Sequence, residues 1–315
     1  MSKTVLVTGA GGASGLATIR ILKESTNFFV IGSDINEDAP GLYIADKKII
    51  LPRASDSEYL GRLLSVVENN GVDLILPNVD EEIPVLSSNF HQIPQALVSP
   101  IDTVNICMDK LKTIHALKEV IEAPVVFSRA SKLTSDDFPV FVKPRVSRGS
   151  RNIFLAKNKK QLSAFILYME SLGISEKDLL VLEYLPGDEY TIEAVCDTKG
   201  ILVSCVPRVR LSTKGGVCTV GKVVRDPRAI GIAERVTKKL SFAGPINIQV
   251  KEAYDGKLKL LEINPRIAGG TPIVYRSGVN VPLLSSKVFF NIDIREEEIS
   301  FKEQKVFRCL KEIHT

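Results

Sequence analysis

Residues 258–266 read Leu-Lys-Leu-Leu-Glu-Ile-Asn-Pro-Arg, and the rest of the chain is best read outward from them. The apolar run predicts a strand, and strand alternation places Glu262, Asn264 and Arg266 on one side as it ends. A carboxylate, a carboxamide and a guanidinium on one face suit a hard divalent cation held with substrate phosphates, beside a charge ready for a transferring phosphoryl group. Upstream, Asp255-Gly256 predicts a two-residue hairpin turn between INIQVKEAY and KLKLLEIN. That register pairs Tyr254 with Lys257, sets Glu252 against Lys259 and lays Gln249 opposite Glu262, so Gln249 joins the oxygen cluster. The plain alternative is the polar outer face of an ordinary hairpin.

The 315 residues allow two or three lobes with proper cores, and 44% hydrophobic with 25% charged residues is the balance of a soluble globular protein. A net charge of +4 is too small to argue for nucleic acid but suits anionic substrates. Five cysteines, with no C-x-x-C pair, favour free thiols in a reducing compartment. There is no apolar run of membrane-spanning length, and a glycine-rich turn directly after Val5–Val7 argues against a signal peptide. A cytoplasmic location is expected, with neither membrane nor nucleic acid as partner.

The amino-terminal hundred residues alternate short apolar runs with helical patterns. Strands are predicted at Thr4–Thr8, Phe29–Ser33, Leu74–Pro77 and Ala96–Ser99, and helices at Ser14–Glu24, Glu58–Asn69 and Glu81–Asn89. Such alternation gives βαβ units and a parallel, doubly wound sheet. A second unit opens near Thr103 with a helix carrying Met108 to Lys112. A small β-rich segment, a helix over Lys160–Leu172 and two strands joined at Pro186-Gly187-Asp188 follow. Next come a strand at Ile201–Val206, a helix at Arg228–Leu240 and the hairpin, and the tail beyond Phe289 is charged and amphipathic.

Lys143 ends a strand (Val140–Lys143) ahead of the turn Arg148-Gly149-Ser150-Arg151. A point charge beside a flexible turn rich in backbone N–H groups suits polyphosphate, although a solvated basic hairpin looks the same. In Glu183-Tyr184-Leu185-Pro186-Gly187, a strand ends where an acceptor and a backbone N–H can meet an adenine, and Glu189 follows in reach of ribose hydroxyls.

Together and in this order, these motifs resemble the ATP-grasp superfamily, in particular the synthetase halves of carbamoyl-phosphate synthase large subunits and stand-alone carboxylate–amine ligases. The resemblance implies an α/β, ATP-grasp fold with an N-terminal Rossmann-like (pre-ATP-grasp) parallel-sheet lobe over 1–100 and an ATP-grasp domain over 101–315. The latter divides into a lid at 136–187, a metal-binding subdomain at 188–290 and a tail at 291–315. Carried over by position, Lys110, Lys143 and Ser150 fall among the ATP phosphate contacts. Glu183 and the Leu185 backbone resemble the adenine contacts and Glu189 the ribose contact. Gln249, Glu262 and Asn264 resemble the magnesium ligands, with Arg266 and Lys143 stabilising the phosphoryl group. The pattern departs from the synthases in the short SRGSRN turn, in Ile267-Ala268-Gly269-Gly270-Thr271 after Arg266, and in the single copy of the fold. Carbamoyl-phosphate synthesis by this chain alone is therefore not expected.

The implied reaction is ATP-dependent activation of a small-molecule carboxylate as an acyl-phosphate, which an amine then attacks. Its cofactors are ATP and Mg²⁺, with Mn²⁺ the alternative ion. Arg208, Arg210 and Lys214 are candidate substrate contacts, or phosphate contacts, or a solvated basic strand. Gly269 and Gly270 offer N–H groups to an oxyanion or simply turn the chain. Asp80 is read first as a helix cap and second as an amine contact. The apolar helix near Val281–Phe290 suggests a homodimer interface.

Two rival readings remain. A phosphotransferase on the same fold needs an acceptor but no amine. The turn TGAGGASG, with Gly9, Gly12 and Gly15 ahead of Asp34, resembles an NAD(P)-dependent short-chain dehydrogenase, and Tyr43-x-x-x-Lys47 imitates its catalytic pair. That pair falls too early in the chain, and the glycines also serve close helix–strand packing.

Overall fold

The computed structural model of the chain describes residues 3–128, 132–147 and 152–314. The amino-terminal part alternates as β1 (Thr4–Thr8), α1 (Ala13–Ser25), β2 (Phe29–Asp34), β3 (Lys47–Ile50), α2 (Tyr59–Asn70), β4 (Leu74–Leu76) and α3 (Glu82–Ser88). Its sheet is parallel throughout, in the order β3-β2-β1-β4. Val5, Leu6, Val7, Leu74, Ile75 and Leu76 are all buried, as strands covered on both faces require. Both edges differ from expectation. Ala96–Ser99 forms no strand, and only a bridge from Ala96 to Ile75 is made. The opposite edge is β3, whose exposed Lys47 and Lys48 hide it from hydrophobic periodicity but suit an unpaired edge. The glycine spacing serves packing: a Cβ at Gly15 would lie 2.1 Å from the Gly9 carbonyl oxygen.

Beneath this sheet Glu82 is only 8% exposed and accepts a hydrogen bond from the Thr8 hydroxyl. Burial pushes its carboxyl up to about 7, against the Thr8 contact. An acid with a raised folded pKa loses stability as pH climbs from about 4.5 to about 7, here by up to about 3 kcal/mol. Glu82→Gln should therefore stabilise the protein at pH 8 and change little at pH 4.5. Equal shifts of the urea midpoint at both pH values would reject this.

Next come α4 (Ile101–Met108) and α5 (Lys110–Leu117). The helix expected to run through Met108–Lys112 breaks at Asp109, which has extended backbone and caps α5 by accepting from the N–H groups of Leu111 and Lys112. The break sets Lys110 at the first position of α5.

A second, antiparallel sheet of order β5-β8-β6-β7 follows. It contains β5 (Val126–Phe127), β6 (Val140–Pro144), β7 (Phe154–Ala156) and β8 (Leu179–Glu183), and α6 (Lys159–Ser171) packs Leu162, Ile166 and Met169 against it.

The remainder comprises β9 (Glu189–Cys196), β10 (Leu202–Lys214), β11 (Val217–Val223), α7 (Pro227–Lys239), β12 (Gly244–Glu252), β13 (Leu258–Asn264), α8 (Thr271–Arg276), α9 (Val281–Phe289), α10 (Glu296–Ile299) and β14 (Gln304–Phe307). Its strands form an antiparallel sheet of order β13-β12-β9-β10-β11-β14, so the charged tail contributes an edge strand. The strands on either side of Pro186-Gly187-Asp188 belong to different sheets, and the link is fastened to β12: Gly187 N–H donates to Glu252 O and Glu252 N–H to Asp188 O.

Helix α9 is not free for an interface, because Val281, Leu284 and Val288 are buried in a core that runs through Val195, Val206 and Cys218 to Val5 and Val7 of the first sheet. Among the described residues no helix is long and apolar enough to cross a membrane.

The β12–β13 hairpin keeps Gln249 opposite Glu262 by a different route from the one expected. Near the turn Lys251 faces Lys259 and Glu252 faces Leu258, one residue away from the two-residue register. Ala253 N–H donates to Lys257 O, and Gly256 takes the left-handed conformation (φ 78°). A bulge then makes up the difference, since Val250 pairs with Leu260 and Gln249 with Glu262, leaving Leu261 extra.

Candidate active site

The six-stranded sheet has one apolar and one polar face. Tyr190, Ile192, Ile246, Ile248, Val250, Leu260 and Ile263 pack under α7. On the other face Arg208 pairs with Thr191, Thr191 with Gln249, and Gln249 with Glu262, one row crossing β10, β9, β12 and β13. The adjacent row carries Glu193, Asn247 and Asn264. Asn264 is held by its own sheet: its Nδ2 donates to Glu262 Oε1 at 3.1 Å and to Asn247 Oδ1 at 3.3 Å. Asn247 was missed from sequence, although it alternates with Gln249 on the same strand.

Two lysines from other elements close over this edge. Lys110 Nζ lies 3.5 Å from Glu262 Oε2 and donates to the Ser147 carbonyl at 2.8 Å. Lys143, at the end of β6, donates to the carbonyl of Leu261, the extra residue of the bulge. They are 5% and 4% exposed, so both ammonium groups are held where screening is weak. Burial alone would raise the Glu262 carboxyl, but Lys110, Lys143 and Asn264 outweigh it and hold it below the usual carboxylate range. Burial pushes the Lys143 ammonium down to about 8; the Lys110 charge acts the same way and Glu262 opposes. Lys110, Lys143, Glu189, Gln249 and Glu262 line one cavity of about 330 Å³.

Arg266 makes a two-pronged ion pair with Asp80, Nε to Oδ1 at 2.5 Å and Nη2 to Oδ2 at 3.1 Å. Asp80 therefore caps nothing; α3 begins at Glu82 after Glu81, and Asp80 ties the first sheet to the end of β13. At the other end of the cleft, the Glu183 carboxylate pairs with Lys259 and accepts from Val125 N–H at 3.0 Å. Leu185 is buried beside it, and Glu189 pairs with Arg210 at 2.8 Å.

A second cavity, about 210 Å³, joins the row to the first sheet and is lined by Ser14, Asn78, Asp80, Arg208, Arg210, Gln249, Glu262, Asn264, Arg266, Gly269 and Gly270. Arg208 is bonded through Nε to Glu193, whose other oxygen accepts from the Thr271 hydroxyl. A Cβ at Gly270 would lie 2.3 Å from Arg208 Nη2, so only glycine lets the guanidinium lie against this loop. Arg308, just past β14, supports the loop by donating to the Gly269 carbonyl at 2.8 Å and the Cys218 carbonyl at 3.2 Å. Neither Glu193 nor Arg308 carried a sequence signal. Lys214 stands exposed at the β10–β11 turn and lines neither cavity. Ser150 lies outside the described residues.

The glycine turn borders a cavity of about 320 Å³ lined by Gly9, Gly12, Ser33 and Asp34. Asp34 Oδ2 accepts from Gly11 N–H at 2.8 Å, putting a carboxylate on the turn where a pyrophosphate would need donors. Lys47 bonds Asn70 and Tyr43 sits under Lys48, so the imitation pair shares no site.

The three sheets and the cleft between them define an ATP-grasp fold. In sequence, residues 5–101 match the family described as PylC-like, N-terminal domain, and residues 175–311 match ATP-grasp in the biosynthetic pathway with Ter operon. By these matches the chain resembles an ATP-grasp domain preceded by a PylC-like N-terminal domain. The carbamoyl phosphate synthase large chain of Clostridium perfringens (strain 13 / Type A) is 24% identical over 234 residues, covering 69% of this chain and 21% of that one. The chain spans about a fifth of the length of the curated relatives it matches. Two solved structures share the fold. The biotin carboxylase domain of Hydrogenobacter thermophilus 2-oxoglutarate carboxylase, in complex with MgADP, ADP and bicarbonate, superposes with TM-score 0.72 at 18% identity, covering 96% of this chain and 73% of that one. L-amino acid ligase from Bacillus licheniformis gives 0.71 at 17% identity over 95% and 78%.

Proposed function

We propose that the chain is an ATP- and Mg²⁺-dependent ligase that joins a carboxylate to an amine through an acyl-phosphate. The observation that carries this reading is the position of Glu262, aligned with Gln249 and Asn264 and covered by Lys110 and Lys143. The donor set fits magnesium: three side-chain oxygens, one of them charged, are what a cation arriving with a triphosphate requires. Gln249, Glu262 and Asn264 would hold it, and when bound it supplies charge neutralisation at the β- and γ-phosphates.

The chain's own residues then have distinct tasks. Lys110 and Lys143 bind phosphate oxygens from above the sheet. The backbone from Glu183 to Leu185 takes the adenine, and Glu189 the ribose once released from Arg210. Arg266 stabilises the oxygens that gain charge as the phosphoryl group moves, a preorganised contribution of the kind that dominates such reactions. The sheet β5-β8-β6-β7 acts as the lid that keeps water from the activated acid.

The test is release of ADP and phosphate from MgATP with small carboxylates, each with and without an amine. Release that needs both partners, with an amide as product, is expected. Release with an acid alone and a stable phosphorylated product would make the chain a phosphotransferase. Absence of MgATP binding beside tight NAD(P) binding would overturn the ligase reading.

A further inference from the structure

We infer that the cavity between the amino-terminal sheet and the β13–α8 loop seats a small substrate through a carboxylate that is not the reacting group, and that Arg208 is its anchor. The part about the reacting group rests on the ligase reading; the anchor itself does not.

Arg208 is 1% exposed, among the largest fully buried side chains, and it lines the cavity. Its Nε is satisfied by Glu193, but its Nη1 has no hydrogen-bond partner among the described residues. A buried guanidinium donor without an acceptor is costly, and a carboxylate is the acceptor that its planar fork fits. Charge points the same way. Arg308 approaches the same loop, yet its donors go to neutral carbonyls, and Glu193 is already shared between Arg208 and Thr271. Burial, and then the nearby Arg208 charge, holds the Arg308 guanidinium below its usual range. Two guanidinia thus flank this loop, and Glu193 is the carboxylate bonded to Arg208.

Position separates this anion from the one that reacts. Arg208 and Glu262 stand on strands three steps apart, about 14 Å at the backbone. A carboxyl group being phosphorylated has to lie at the Glu262–Asn264 edge, so a carboxylate on Arg208 belongs to another part of the acid or to the amine. The cavity, about 210 Å³ and floored by glycines and alanines, admits only a small molecule.

Calorimetric titration of the full chain with succinate, glutarate, L-alanine, propionate and inorganic phosphate tests this. At least one of the first three should bind more tightly than propionate and phosphate, and Arg208→Gln should weaken it about tenfold or more. MgATP affinity should be unchanged. Arg208→Gln leaves Glu193 buried alone, so the paired variant Arg208→Gln/Glu193→Gln, which keeps the site neutral, should show the same loss. Preference for succinate or glutarate assigns the carboxylate to the acid, and preference for L-alanine to the amine. Propionate or phosphate binding as tightly as these, or binding that survives in both variants, overturns the proposal. Arg208-dependent binding without any MgATP binding would retain the anchor and remove the ligase reading.

Discussion

Glu262→Gln is expected to lower MgATP-dependent turnover by about a thousandfold or more. The substitution preserves size and the hydrogen bond from Asn264, and it removes only the charge. That charge has two tasks in the proposed chemistry. It is the one anionic member of the Gln249, Glu262, Asn264 set, and it is the counter-charge that faces Lys110 and opposes the burial that pushes the Lys143 ammonium down. Losing it weakens the hold on the metal and drives the Lys143 pKa further down, so both effects act on the same step. Steady-state rates over a Mg²⁺ titration provide the check, and the half-saturating Mg²⁺ concentration should rise as the maximum falls. A variant within tenfold of wild type at saturating Mg²⁺ would remove Glu262 from the centre of the mechanism.

The second large effect concerns Lys143 and pH. With its ammonium pushed down to about 8 in the free protein, kcat/KM for MgATP should decline as pH rises through about 8, because only the cation can meet phosphate oxygens. Lys143→Arg, whose charge persists, should move that decline beyond pH 10, and Lys143→Met should cost about a hundredfold at pH 7. Stability should move the other way. The unfolded chain keeps this proton up to about 10.5 while the folded one releases it near 8, so stability rises across that window as the cost of a buried charge is relieved. The difference in unfolding free energy between wild type and Lys143→Met, read from urea titrations, should therefore shift by up to about 3 kcal/mol between pH 8 and 10.5. A decline in kcat/KM that is identical in Lys143→Arg would assign the titration to another group.

The pairing of Gln249 with Glu262 shows how far local pattern reaches. Alternation in INIQV and LLEIN specifies which side chains share a face, and a buried opposite face under α7 enforces it. The turn lies one residue away from the two-residue register, and the bulge at Leu261 restores the pairing. Leu261, the extra residue of that bulge, offers its carbonyl as the acceptor for Lys143. The break at Asp109 is a similar case. A cap competes locally with helix continuation, and here the competition is settled by Arg145, 36 residues away, which pairs with the capping carboxylate.

What the sequence by itself determined was the parallel amino-terminal sheet and the hairpin face that carries Glu262, Asn264 and Arg266. These depend on periodicity and turn chemistry within a few residues. Tertiary structure alone decided the partners of the charges: Asp80 for Arg266 across 186 residues, Glu193 for Arg208, and the loop carbonyls for Arg308. The physical reason is that burial decides what a charge requires. Pattern along the chain shows which face a side chain takes, but the low-dielectric contacts that compel an ion to find its acceptor exist only once distant elements have packed.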